Sequence, residues 1–100
     1  MYQLTTVAHI DPSKLDEILE YARKVAEASR KQQGNVSYNF YCPEEGTDTF
    51  LITEAWETKE DWVRHFEAAH VPGDATYEFA AFFDTTFTRE PEAYYGETLI

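Results

Sequence analysis

One hundred residues are enough for one domain, and 43% hydrophobic residues are ample for a packed core. The formal net charge of -11 argues against partners such as nucleic acid or an anionic membrane surface, because both would repel the protein. A single cysteine, Cys42, excludes an intrachain disulfide. We find neither a signal-peptide pattern nor an apolar run of about 18 residues. We therefore expect one cytoplasmic domain over residues 1–100.

The first predicted elements are a strand and a helix. Residues 3–10 alternate in side-chain character with the period of a strand. Asp11 can then cap a helix that begins at Pro12, and Gly34 supplies its end. An apolar stripe with helical spacing lies between them, formed by Leu15, Ile18, Leu19, Ala22, Val25 and Ala26.

Two further strands are predicted next, over residues 35–41 and 49–56. Both show the alternation of a strand, and the connection over residues 43–48 is longer than a tight turn. One face of the second strand carries Phe50, Ile52, Glu54 and Trp56. Together the two segments predict a hairpin.

The last third of the chain predicts two short helices and a strand. Thr58 and Asp61 resemble a capping box at the start of a helix over residues 59–69. Its inward stripe is predicted to be Trp62, Phe66 and Ala69. Pro72-Gly73 interrupts the helical pattern, and Asp74 can cap a second helix over residues 75–83, with Phe79, Phe82 and Phe83 facing inward. Residues 92–100 form the last extended piece.

The resulting order is strand, helix, strand, strand, broken helix and strand, which predicts a ferredoxin-like, split β-α-β fold of the α+β class. Such a sheet carries its helices on one side. Apolar residues nevertheless occur on both faces of the predicted sheet. One face carries Tyr38, Phe40, Phe50, Ile52 and Trp56, and the other carries Val7, Tyr41, Leu51 and Ala55. We therefore expect a homodimer in which the sheets pack face to face.

Several kinds of catalytic site are not expected. His65 and His70 are five residues apart, about 140° around a helix, so they do not share a face as a zinc pair would. His9 lies on a different element. No nucleophile motif G-x-S-x-G occurs, and the four glycines do not form a phosphate-binding loop.

The remaining candidates are aromatic and polar residues of the hairpin and the helix that follows it. They are Tyr38, Asn39, Trp56, His65, Phe66 and His70. Taken singly, Trp56 and Phe66 are expected in the core, and His65 on a half-exposed helix surface. His70 lies at a helix end, where the helix dipole favours its charged form. We expect Trp56 and His70 to converge on one small, aromatic-lined pocket.

The segment from Gly34 to His70 resembles the antibiotic biosynthesis monooxygenase family, whose members are dimeric α+β barrels and include quinol monooxygenases. Gly34, Tyr38, "TEAW" and "RHFEAAH" carry the resemblance, and "HIDPSKLDEILE" matches the first strand-to-helix junction. The resemblance implies a pocket between sheet and helices that binds a small aromatic substrate and O₂. It also implies that the substrate, a quinol-like or polyphenolic molecule, reduces the oxygen itself, with no metal, flavin or other cofactor.

The same resemblance implies roles for the candidate residues. His70, and then His65, would take the phenolic proton or bind the oxyanion. Trp56 and Phe66 would wall the substrate ring, while Tyr38 and Asn39 would orient its oxygens.

Two alternatives remain open. One is a non-catalytic protein on the same fold that binds a small ligand or is associated with stress. The other is a haem-binding or haem-degrading domain, whose relatives carry Asn on the first strand and Trp in the helix. This chain has Ala8 or His9 near the first position and His65 at the second.

Overall fold

The computed structural model describes residues 1–46 and 48–100. Within them the chain forms β1 (Tyr2–His9), α1 (Leu15–Arg30), β2 (Asn35–Tyr41), β3 (Thr49–Trp56), α2 (Lys59–Glu67), α3 (Ala75–Phe83) and β4 (Glu92–Glu97). Short 3₁₀ turns over Pro12–Lys14 and Ala68–His70 precede α1 and follow α2. Thr47, in the predicted connection between β2 and β3, lies outside the described residues.

The predicted ferredoxin-like fold is confirmed by the sheet. Its strand order is β2-β3-β1-β4, and every neighbouring pair is antiparallel. The bounds of β2, β3 and α3 agree with the prediction, whereas β4 ends earlier, at Glu97. Among the described residues, no helix has the length and apolar character needed to cross a membrane.

Local interactions explain where the helical segments begin. Asp11, Thr58 and Asp74 each accept a hydrogen bond from a backbone N–H two or three residues further along the chain. Each cap satisfies an amide that has no partner within its helix. The turn after α1 requires glycine, because Gly34 has φ of 81° and an added Cβ would collide with the Asp61 carboxylate.

The core lies between the sheet and the helices. Its largest fully buried apolar side chains are Trp56, Phe50, Ile10, Ile18 and Val25. The stripe predicted for α1 packs against this core, with Ile18, Ala22, Val25 and Ala26 buried and Leu15 and Leu19 partly buried. The inward-facing residues of β1 and β3, such as Leu4, Ala8, Phe50 and Ile52, belong to this core.

The buried face of helix α2 differs in part from the predicted one. Trp62 packs against the core as predicted, although only partly buried. The fully buried residues of this helix are Asp61 and His65, whereas Phe66, also expected to face inward, is 50% exposed. The capping interaction holds Asp61 against Gly34, and His65 lies on the same side one turn later. The predictions of a half-exposed His65 and a core Phe66 are therefore wrong.

Apolar residues also lie on the sheet face away from the helices. Val7, Leu51 and Tyr41 are cross-strand neighbours there, and Tyr41 is 52% exposed. All six residues of β4 are exposed. The homodimer prediction was based on this face.

Candidate functional site

A cavity of about 290 Å³ lies between the sheet and helices α2 and α3. Its floor includes one row of cross-strand neighbours, which runs from Tyr38 through Glu54 and Leu4 to Tyr95. The helices contribute mainly aromatic walls, including Trp62, His65, Phe66 and Phe79. Among the described lining residues Glu54 is the only acid, and neither Lys nor Arg is present. The cavity therefore suits an uncharged, mainly apolar small molecule.

The carboxyl group of Glu54 is the polar centre of this cavity. Its Oε1 accepts a hydrogen bond of 3.1 Å from the Nε1–H group of Trp56. Nε2 of His65 lies 3.7 Å from the same oxygen, and the side chains of Glu54 and His65 are only 10% and 5% exposed. Burial raises the pKa of Glu54 to about 7, and the bond from the indole opposes this rise only in part.

The ring of His65 is enclosed by aromatic and polar neighbours. Its centroid lies 4.8 Å from that of Trp56 and 5.5 Å from that of Tyr38. Nδ1 lies 2.7 Å from Oε1 of Gln32, which follows α1. Burial lowers the pKa of His65 to about 4, partly opposed by the charge of Asp74. His65 is therefore an uncharged imidazole at neutral pH.

Tyr38 lines the same cavity from β2 and is 4% exposed. Burial, together with the nearby charge of Glu54, raises the pKa of Tyr38 well above its ordinary value. The phenol therefore keeps its proton at neutral pH.

The structure brings together some of the six predicted site residues. Tyr38, His65 and Phe66 line the cavity. Trp56 is fully buried behind it, in contact with the His65 ring, and its N–H group points to Glu54. Trp56 therefore donates a hydrogen bond to the Glu54 carboxyl group instead of forming part of the cavity wall.

The other two predicted residues lie elsewhere. Asn39 is exposed, and its Oδ1 accepts a hydrogen bond of 3.3 Å from Arg30. His70 lines a second depression, of about 390 Å³, and its ring centroid lies 5.8 Å from that of Phe66. Phe66 lines both spaces, so it separates His70 from the cavity. The expected convergence of Trp56 and His70 on one hollow is not found, because the turn after α2 carries His70 to the other side of Phe66.

Comparison with models of known protein families shows which family the chain belongs to. The family model "Antibiotic biosynthesis monooxygenase" matches residues 1–72. The chain belongs to this family. The resemblance inferred from the residues around Trp56 is therefore confirmed.

Individual relatives of this antibiotic biosynthesis monooxygenase domain agree with the match. The chain is 29% identical over 73 residues to "Putative monooxygenase YcnE" of Bacillus subtilis (strain 168), covering 73% of this chain and 77% of that protein. The solved structure "Putative antibiotic biosynthesis monooxygenase from Nitrosomonas europaea" has a TM-score of 0.87 at 19% identity and full coverage of both chains. A conserved protein from Methanosarcina mazei Go1 has a TM-score of 0.85 at 17% identity, covering 96% of this chain and 90% of that one. At these identities the solved structures show the shared fold.

The family match ends before α3 and β4, although both contribute to the cavity. Glu54 and His65 lie inside the matched region, whereas Phe79 and Tyr95 lie beyond it. Part of the cavity wall in this family member therefore comes from chain outside the match. No three His, Cys, Asp or Glu side chains within residues 1–46 and 48–100 are grouped so that they could hold a metal ion.

Glu54 is a candidate site residue that was not predicted from the sequence. The strand pattern placed it on the same face as Phe50, Ile52 and Trp56, but it was not named as a site residue. A lone carboxylate in an inward-facing apolar series is an informative signal, because buried acids are rare and burial changes their pKa.

Proposed function

We propose that this chain is a cofactor-independent monooxygenase that oxidises a quinol-like or polyphenolic small molecule with O₂. The observation that carries the proposal is the Glu54 carboxyl group, buried beside His65 in an aromatic-lined cavity of about 290 Å³. A small aromatic substrate suits that volume, which is close to the lower end of ligand pockets, about 300 Å³. Membership of the antibiotic biosynthesis monooxygenase family supports the same class of reaction.

The first step is removal of a phenolic proton. A general base works best when its pKa lies near the working pH, and the pKa of Glu54 is about 7. His65 is a weaker base because burial lowers its pKa to about 4. We therefore assign proton removal to Glu54, with the uncharged His65 imidazole beside it. The apolar walls shield the resulting phenolate from bulk water.

The second step is electron transfer from the phenolate to O₂. One electron moves, and the resulting phenoxyl radical and superoxide combine to form a bond between a ring carbon and oxygen. Protonated Glu54 returns its proton to the peroxide. Loss of the ring-carbon proton and cleavage of the O–O bond then release water. For a hydroquinone the sum is quinol plus O₂ giving hydroxyquinone plus water, so the substrate supplies every electron that the oxygen accepts.

Oxygen consumption with chemically reduced naphthoquinols tests this proposal. We expect a rate above autoxidation that survives a metal chelator and falls about 100-fold or more in Glu54→Gln, as is typical for loss of a general base. His70→Ala is the comparison variant, because the resemblance assigned the proton transfer to His70. Full activity in Glu54→Gln together with its loss in His70→Ala would reverse our assignment of the base.

The oxygen assay and a hemin-binding measurement address the two alternatives. If no quinol is oxidised faster than by autoxidation, we would instead conclude that the chain is a non-catalytic protein that binds a small ligand. A Soret band that appears on adding hemin and persists through gel filtration would support the haem-binding reading instead.

We also propose that two copies of the chain pair through the outer face of the sheet. Exposed Tyr41 is the cross-strand neighbour of Leu51, which in turn is the neighbour of Val7. Covering this apolar row would remove it from water, and a two-fold pair covers it on both copies. Size exclusion with light scattering at micromolar concentration should give the mass of a dimer. A monomer mass would contradict the proposal.

A further inference from the structure

The hydrogen bond between His65 and Gln32 joins the cavity to the end of α1. Nδ1 of His65 lies 2.7 Å from Oε1 of Gln32, and this is the only hydrogen bond of the imidazole among the described residues. In this orientation the amide oxygen of Gln32 faces Nδ1, and because an amide oxygen can only accept, Nδ1 carries the proton of the bond. The other nitrogen, Nε2, then has a free lone pair, and it lies 3.7 Å from Oε1 of Glu54.

We propose that Gln32 is a positioning residue that holds His65 in the tautomer protonated on Nδ1, so that Nε2 presents a lone pair to the Glu54 carboxyl group. Gln32 does not line the cavity and would act only through His65. The use of Glu54 as the base rests on the proposed function. The tautomer of His65 does not depend on it.

The tautomer matters because the two forms affect Glu54 in opposite ways. A lone pair on Nε2 can accept the proton of the Glu54 acid and so stabilise the protonated form, which strengthens Glu54 as a base. A proton on Nε2 would instead donate to the carboxylate and weaken it as a base. The present separation of 3.7 Å is longer than a hydrogen bond, and such catalytic contacts often shorten when substrate binds.

The groups around His65 keep its ring uncharged, so the position of its single ring proton is what distinguishes its possible states. The titratable groups that face it are Glu54 on β3, Tyr38 on β2 and Asp74 at the start of α3. Burial outweighs the charge of Asp74 and lowers the pKa of His65 to about 4. The uncharged ring carries one proton on one of its two nitrogens, and the Gln32 oxygen beside Nδ1 favours the form protonated there.

Nitrogen-15 NMR of histidine-labelled protein at pH 7 tests the inference, since protonated and lone-pair nitrogens have well-separated shifts. The His65 signals are identified by their loss in His65→Asn. We expect a proton on Nδ1 in the wild type and in Gln32→Glu, which keeps an acceptor in place. In Gln32→Met we expect a proton on Nε2, whereas Gln33→Met, at the exposed neighbouring position, should resemble the wild type. A proton on Nε2 in the wild type, or an unchanged spectrum in Gln32→Met, would overturn the inference.

The pH profile of kcat/KM provides the functional readout. In Gln32→Met its midpoint should fall by about one pH unit, roughly the effect of one hydrogen bond, while Gln33→Met leaves it unchanged. An unmoved midpoint with an altered tautomer would show that His65 does not tune Glu54. If the spectra agree but no quinol is oxidised, the proposed function fails while the positioning by Gln32 stands.

Discussion

Replacing Glu54 with Gln tests whether the carboxyl group is buried as strongly as the structure indicates. The change keeps the length of the side chain, and the amide oxygen can still accept the bond from Trp56. It removes the ability to ionise and exchanges one carboxyl oxygen for an NH2 group. The variant should therefore differ from the wild type mainly in how its stability depends on pH.

The direction in which Glu54 changes the unfolding free energy with pH follows from its raised pKa. Glu54 has a pKa of about 7 in the folded protein against an ordinary value of 4.5, so the folded state binds this proton more tightly than the unfolded state. The stability that comes from Glu54 is fully present below about pH 4.5 and is lost as the pH rises through 7. The interval from 4.5 to 7 corresponds to about 3 kcal/mol, at roughly 1.4 kcal/mol per pH unit. Between pH 4 and pH 8, Glu54→Gln should gain about 3 kcal/mol in unfolding free energy relative to the wild type.

His65 changes the unfolding free energy with pH in the opposite direction. Its pKa falls from 6.5 to about 4 on folding, so its contribution is present above about pH 6.5 and is lost as the pH falls towards 4. In the wild type the two contributions nearly cancel between about pH 4.5 and 6.5. In Glu54→Gln the contribution of His65 remains alone, and stability should rise with pH over this interval.

Urea unfolding followed by tryptophan fluorescence, at one protein concentration and at several pH values, measures these differences. Glu57→Gln is the matched control, because it removes one negative charge at an exposed position on the same segment. A difference between Glu54→Gln and the wild type that stays constant within about 1 kcal/mol from pH 4 to pH 8 would contradict a raised pKa for Glu54.

Two further predictions concern the fold and the assembly. Gly34→Ala should lower the unfolding free energy by about 2 kcal/mol or more, because its φ is 81° and the added Cβ meets Asp61. Gly96→Ala is the control, since an added Cβ there has open space, and equal losses in urea unfolding would contradict the explanation. Tyr41→Glu should convert the proposed dimer to a monomer in light scattering, because it places a charge on the outer face of the sheet. Lys59→Glu, an exposed change on α2, should leave the mass unchanged, and a dimer that survives Tyr41→Glu would count against this interface.

The elements and their order could be predicted from the sequence because each depends on nearby residues. Alternation over residues 49–56 predicted the bounds of β3. Asp74 predicted the start of α3 in the same way, since a capping side chain bonds an amide only two residues away. The family resemblance also depended on local strings of residues, such as "TEAW". These features need no knowledge of distant contacts.

The site depended on contacts between residues that are distant in the chain. Helical spacing favoured an inward Phe66, yet Asp61 under the turn at Gly34 rotates α2 so that His65 faces inward. Gln32 reaches His65 across a separation of 33 residues, which no local pattern reports. The pKa of Glu54 likewise depends on burial beneath α2. Packing between α2 and the sheet therefore decided which polar side chains meet, because burial and hydrogen bonding between distant elements outweigh the periodicity of one helix.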